Sequence, residues 1–239
     1  GRSAARSLEA GRMPARTHGA ERLAGVATSV FSEMSRLAAE HGAVNLGQGF
    51  PDFPGPEFVK AAAIAAIRAD QNQYAVSHGA PRLRQAIAAA WHRQHGRAVD
   101  PDVEITVGSG ATELLLDAML GLVNPGDEVI LFEPCYDSYA PDVIMAGGIP
   151  RFVRLEPPDW RFDPQALADC FTPRTRLLLV NTPHNPTGKM FTREELRLIG
   201  DLCGRHDVLI LTDEVYAEIR FDGAEHVPIA TLPGMWERT

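Results

Sequence analysis

The stretch Asn181-Thr182-Pro183-His184-Asn185-Pro186-Thr187-Gly188-Lys189, followed some twenty residues later by Val208-Leu209-Ile210-Leu211-Thr212-Asp213-Glu214-Val215-Tyr216, decides the reading of this chain. In the first segment two prolines flank Asn185, so its amide sits on a stiff backbone. In the second, the run Val208 to Leu211 reads as a buried strand that delivers Asp213 at its carboxyl end, where open α/β sheets place their ligands. A carboxylate in that position can pair with a heterocyclic nitrogen and hold it protonated.

Outward from these segments the chain alternates strand, turn and helix. Strands are expected at Val103 to Val107, Glu128 to Phe132, Arg151 to Leu155, Arg176 to Asn181 and Val208 to Thr212. Helices are expected at Ala111 to Leu122, Ser138 to Ala146, Pro164 to Cys170 and Thr192 to His206, the last opened by a capping pattern from Thr192 and Glu195. Upstream lie a helix over Ser29 to Glu40, a loop rich in Pro and Gly over Gln48 to Pro56, and Ala-rich helices over Glu57 to Ala69 and Pro81 to His95. This alternation implies an α/β fold with a mainly parallel sheet covered by helices.

The turn Gly108-Ser109-Gly110-Ala111-Thr112 ends one expected strand and opens a helix. Small residues let the backbone approach an anion, and the first N–H groups of the helix can donate to it. The same glycines could equally serve a tight turn. The third glycine of a dinucleotide fingerprint is replaced by Glu113, and no Walker A pattern occurs. Tyr136 follows the next strand in a loop fixed by Pro134; its ring could stack on a planar ligand or simply line a boundary. His92 and His95 share a helical face without a third ligand at a recognisable spacing, so no metal site is expected. His184 borders the motif or supports its loop. Cys135 has no neighbouring cation to lower its pKa.

From about Phe31 onward the sequence resembles the fold type I, class I aminotransferases, in the branch of kynurenine aminotransferase (glutamine transaminase K) and methionine aminotransferase. The resemblance is carried by Asn45-Leu46-Gly47-Gln48-Gly49-Phe50-Pro51-Asp52-Phe53, Asn72-Gln73-Tyr74, Gly108 to Glu113, Glu133-Pro134-Cys135-Tyr136-Asp137-Ser138-Tyr139 and the two opening segments. It implies a pyridoxal 5'-phosphate (PLP) transferase fold with an incomplete small domain. Residues 1–20 would be a disordered or expression-derived leader, 21–48 the start of the small domain, and 49–239 the first part of the large PLP-binding domain. In this resemblance Asp213 pairs with the cofactor's ring nitrogen, Tyr136 stacks on the ring, and Asn185 and Tyr216 reach its phenolic oxygen. Ser109, Gly110, Ala111 and Thr112 hold the phosphate. Tyr74 reaches the phosphate of a partner subunit, which implies a homodimer. Gly49, Asn185 and Phe31 contact substrate, although the apolar spacing of its helix also explains Phe31 as core.

The implied activity moves an amino group between an aromatic, sulfur-containing or glutamine-like amino acid and a 2-oxo acid. A cysteine-S-conjugate β-lyase or a non-catalytic remnant of the fold are the alternatives. Lysine occurs only at Lys60 and Lys189. Neither stands where the family places its Schiff-base lysine, which is expected beyond Thr239; no catalytic residue is therefore assigned, and the 239-residue chain alone is expected to be inactive.

Composition agrees with that class. A net charge of −8 argues against a nucleic-acid footprint, and no apolar run approaches the ~20 residues that span a bilayer. Cys135, Cys170 and Cys203 form no CxxC pair, which suggests free thiols in a reducing compartment, by default the cytosol. The start of the chain carries Arg2, Arg6, Arg12 and Arg16 against Glu9 alone; a mitochondrial transit peptide is the alternative to a plain leader.

Overall fold

The computed structural model describes residues 20–23, 30–47, 49 and 51–239. The expected leader, apart from Ala20, lies outside the described residues, as do Ser29, Gln48 and Phe50. Helix α1 runs Val30–His41, α2 Glu57–Arg68, α3 Pro81–His95 and α4 Ala111–Leu122. There follow β1 (Glu128–Glu133), α5 (Tyr139–Met145), β2 (Ile149–Arg154), α6 (Pro164–Asp169), β3 (Thr175–Asn181), α7 (Arg193–His206) and β4 (Leu209–Asp213).

The four strands form one parallel sheet in the order β2-β1-β3-β4. The chain winds from β1 out to β2 and then back past β1 to β3. The sheet therefore reverses its direction of winding beside β1, and crevices of this kind open at the carboxyl ends of the strands.

Both faces of the sheet are covered, which is why its central strands are apolar throughout. On β1, Val129 and Leu131 face one layer while Ile130 and Phe132 face the other; on β3, Leu177 and Leu179 alternate in the same way with Leu178 and Val180. One layer is built from α4 and α5 through Leu115, Met119, Tyr139 and Val143. The opposite layer is built from α6, α7 and the segment 227–235 through Leu167, Leu196, Ile199 and Ile229. Fully burying each such Leu or Ile contributes about 1.5–3 kcal/mol.

Helix α7 begins with the expected cap. The Thr192 hydroxyl accepts from the Glu195 N–H at 3.1 Å, and the Glu195 carboxylate accepts from the Thr192 N–H at 2.8 Å. The same carboxylate takes Lys189 Nζ at 2.7 Å.

One expected strand is corrected: Val103 to Val107 is not a strand among the described residues. Asp100 and Glu104 close a local turn instead. The Asp100 N–H donates to the Glu104 carboxylate at 2.7 Å and the Asp102 N–H to the Asp100 carboxylate at 2.8 Å. Val107 N donates to His78 O, and Val103 is left 81% exposed. Buried Arg84 ties this segment down, its guanidinium bonding Gly79 O at 3.1 Å and Asp102 at 2.8 Å as well as Pro101 O.

Candidate functional site

Strands β3 and β4 pair in register so that Asn181 lies opposite Asp213, the last residue of each. Asn181 joins the two opening sequence segments. Its side-chain amide donates to Asp213 O at 3.0 Å, and its side-chain oxygen accepts from the Asn185 N–H at 2.6 Å. Thr182 N adds a second bond to Asp213 O at 3.0 Å. The Asn185 loop then closes on itself, His184 N to Lys189 O at 2.8 Å and Gly188 N to His184 O at 2.7 Å. Within it the His184 ring shares a hydrogen bond with Thr187 Oγ1 at 2.8 Å. Burial, reinforced by Lys189, pushes the His184 pKa down to about 4, so the ring is a neutral support for the loop at neutral pH. The Asn185 side-chain amide makes no hydrogen bond among the described residues.

Asp213 is buried, and each of its carboxylate oxygens has one protein donor. The Tyr139 hydroxyl donates to Oδ2 at 2.7 Å and the Val215 N–H to Oδ1 at 3.2 Å. Tyr139 is the first residue of α5, and Tyr136 packs edge-on against it with ring centroids 5.7 Å apart. The Phe31 ring of α1 has its centroid 6.4 Å from that of Tyr136. The Cys135 thiol next to this wall is pushed up to about 11 by burial and then by the charges of Glu133 and Asp137, so it stays protonated.

A half-open cavity of about 130 Å³ lies among these groups. Asp213, Asn181 and Tyr139 form its floor; Tyr136, Asn185 and Tyr216 form its walls; Ala111, Thr112 and Leu115 of α4 close it. At this end α4 has no side-chain cap. Glu113 folds back onto the Ser109 N–H, while the N–H groups of Ala111 and Thr112 have no partner among the described residues. Both glycines of the turn also have steric reasons. A Cβ on Gly108 would stand 2.7 Å from the Glu113 carboxylate, and Gly110 has φ 89°. A larger open groove of about 570 Å³ meets the cavity at Asn185 and Tyr216.

The structure thus brings together Ala111, Thr112, Tyr136, Asn185, Asp213 and Tyr216, with Ser109 and Gly110 in the adjoining turn and Phe31 beside Tyr136. It does not bring in Tyr74, which is fully exposed, or Gly49, which is also exposed. Asn181 and Tyr139 are additions to the sequence reading. Both stand inside the motifs quoted above, but their part here depends on the β3–β4 register and on the placement of α5, which no local sequence signal gives. Of the two lysines, Lys189 is buried against Glu195, and Lys60 pairs with Glu57 on α2; neither lines the cavity. Among the described residues, no group of three or more His, Cys, Asp or Glu could hold a metal ion.

The sequence profile of the class I and II aminotransferases matches residues 41–236. The chain belongs to this family. It is 45% identical over 231 residues to kynurenine–oxoglutarate transaminase 3 of Mus musculus, covering 92% of this chain and 51% of the relative. It is 49% identical over 220 residues to a probable N-succinyldiaminopimelate aminotransferase of Mycobacterium tuberculosis, covering 91% of this chain and 55% of the relative. The chain thus spans about half the length of the curated relatives it matches. Among solved structures, the N-succinyldiaminopimelate aminotransferase of Mycobacterium tuberculosis superposes with a TM-score of 0.88 at 48% identity, covering 92% of this chain and 58% of that one. A methionine aminotransferase from Escherichia coli also gives 0.88, at 39% identity, covering 93% and 58%.

Aminotransferases of this family depend on PLP, and the donor set fits that group in kind. A cationic ring nitrogen requires a buried carboxylate, which Asp213 provides. A phenolic oxygen requires donors, and the Asn185 amide and Tyr216 hydroxyl carry no competing bond among the described residues. A phosphate suits the unpaired N–H groups at the start of α4.

Proposed function

We propose that the intact protein is an aminotransferase whose large-domain site holds PLP at the carboxyl ends of β3 and β4. The observation that carries this reading is the buried Asp213 carboxylate, fixed by Tyr139 and Val215 and facing an aromatic wall and an uncapped helix. When bound, PLP would supply an electron sink for the pair released when a bond to the amino acid's Cα breaks. Asp213 holds the proton on the ring nitrogen, Asn185 and Tyr216 orient the phenolic oxygen, and Tyr136 covers one ring face. The turn from Ser109 to Thr112 takes the phosphate. Phe31, beside Tyr136, shapes the pocket for the substrate side chain together with Asn185.

The donor class proposed is a large uncharged amino acid, whether aromatic, sulfur-containing or glutamine-like, with a 2-oxo acid as acceptor. The relatives named for kynurenine and methionine support it. We further propose a homodimer. Helix α2 buries none of its residues, with Phe58 76% and Ile67 65% exposed, and the fully exposed Tyr74 follows it. Three free cysteines favour a reducing compartment, the cytosol.

Single-turnover absorbance of the full-length protein loaded with PLP tests the donor assignment. Methionine, phenylalanine or glutamine should convert the bound cofactor to its amine form faster than aspartate does. Faster conversion by aspartate or by N-succinyldiaminopimelate would contradict it. Release of ammonia with no oxo acid present would assign elimination instead of transfer.

A further inference from the structure

We propose that Tyr139 is a positioning residue for Asp213, acting on the cofactor through that carboxylate without touching the reacting atoms. The inference rests on the PLP reading above and adds a residue to it. A buried carboxylate that must aim one oxygen at a ring nitrogen has two requirements: its orientation has to be fixed, and its remaining lone pairs have to be satisfied. Among the described residues the backbone supplies one donor, the Val215 N–H, at the longer distance of 3.2 Å. The 2.7 Å bond from Tyr139 is the shorter of the two and comes from a different element, α5. With one donor on each oxygen the carboxylate plane is pinned from two directions.

Tyr139 is suited to this in three ways. Its ring is only 2% exposed and shares a core cluster with Leu115, Met119 and Val143, so the hydroxyl has little freedom to wander. Burial, and next the charge of Asp213, raise its pKa, so it remains a hydroxyl and a donor across the working range. Its edge-on packing against Tyr136 links the residue that orients the carboxylate to the wall against the ring face. A phenylalanine would fill the same space and leave Asp213 Oδ2 without a protein donor.

A double-mutant cycle on PLP affinity separates positioning from packing. In the full-length protein stripped of cofactor, PLP dissociation constants are measured for the parent, Tyr139→Phe, Asp213→Ala and the double variant. Loss of a hydrogen bond to a buried carboxylate should weaken PLP binding about tenfold in Tyr139→Phe. The same change in the Asp213→Ala background should have less than about a twofold effect, because there is no carboxylate left to position. A tenfold effect that persists without Asp213, or no effect in the parent, overturns the proposal. If Asp213→Ala itself leaves PLP affinity unchanged, the PLP reading falls and this inference with it.

Discussion

On β3 the run Leu177-Leu178-Leu179-Val180 is at most 2% exposed, whereas on α2 Phe58, Val59, Ile64 and Ile67 stand 48–76% exposed. Both stretches are rich in large apolar residues. The strand is covered on both faces by helices of its own chain, and its pairing with β4 sets Asn181 against Asp213 within hydrogen-bond distance. The helix has an apolar surface that none of the described residues covers. On the function proposed above, the chemistry falls to the first region, since a site that must hold a ring nitrogen and a phosphate needs elements that cannot shift. On the homodimer proposed above, a partner subunit would cover the second, where exposed Phe and Ile side chains gain from being covered.

The comparison breaks most visibly at Asp213. In the complete protein, Asp213→Asn should reduce turnover at least about hundredfold while leaving the secondary structure intact, because an amide cannot hold the ring nitrogen protonated as a carboxylate does. Turnover within about tenfold of the parent, roughly 1.4 kcal/mol of barrier, would remove Asp213 from the chemistry.

Next in size is the contrast between the two apolar regions. Leu178→Ala, in the centre of the sheet, should cost about 2–5 kcal/mol of stability in denaturant unfolding. Phe58→Asp should leave the chain folded and shift the proposed homodimer toward monomer in sedimentation velocity. If Phe58→Asp unfolds the chain instead, or leaves the dimer intact, α2 is not the partner-facing surface.

The smallest effect concerns the layer that supports the site. Asp142 of α5 is buried, and its Oδ2 has no hydrogen-bond partner among the described residues. Burial raises its pKa from 3.8 to about 6, against the opposing influence of the nearby Ser138 hydroxyl. Between these values the unfolded chain gives up the proton before the folded one does, so the group's contribution to stability falls as pH rises through that window. Asp142→Asn should therefore raise the melting temperature by about 2–4 °C at pH 7.5 and have little effect at pH 4. A gain that is equal at both pH values would assign the effect to something other than ionisation.

What could be read in advance follows from which interactions are local. The runs Leu177 to Val180 and Leu209 to Leu211 announce strands by composition, although edge strand β4 leaves Leu209 and Leu211 half-buried, and Thr192 with Glu195 announces the start of α7, because each signal is complete within a few residues. Asp213 was legible as a strand end, and Asn185 as the centre of a stiff loop. Asn181 was not, since its part depends on the register between β3 and β4. Tyr139 depends on where α5 crosses the cavity floor. The stretch from Val103 to Val107 alternates as a strand should, yet a strand requires a partner, and the carboxylates of Asp100 and Glu104 offer the backbone a local turn. Tyr74 and Gly49 carry sequence signals, yet both are exposed and stand apart from the cavity.

The most direct test of the central claim is a crystal structure of the full-length protein with PLP bound. The account predicts the ring nitrogen within hydrogen-bond distance of the Asp213 carboxylate, with Tyr139 still donating to that carboxylate. The Tyr136 ring should lie against the cofactor face, and the phosphate should sit at the N–H groups of Ala111 and Thr112. A cofactor seated elsewhere, or one whose ring nitrogen faces away from Asp213, would contradict it.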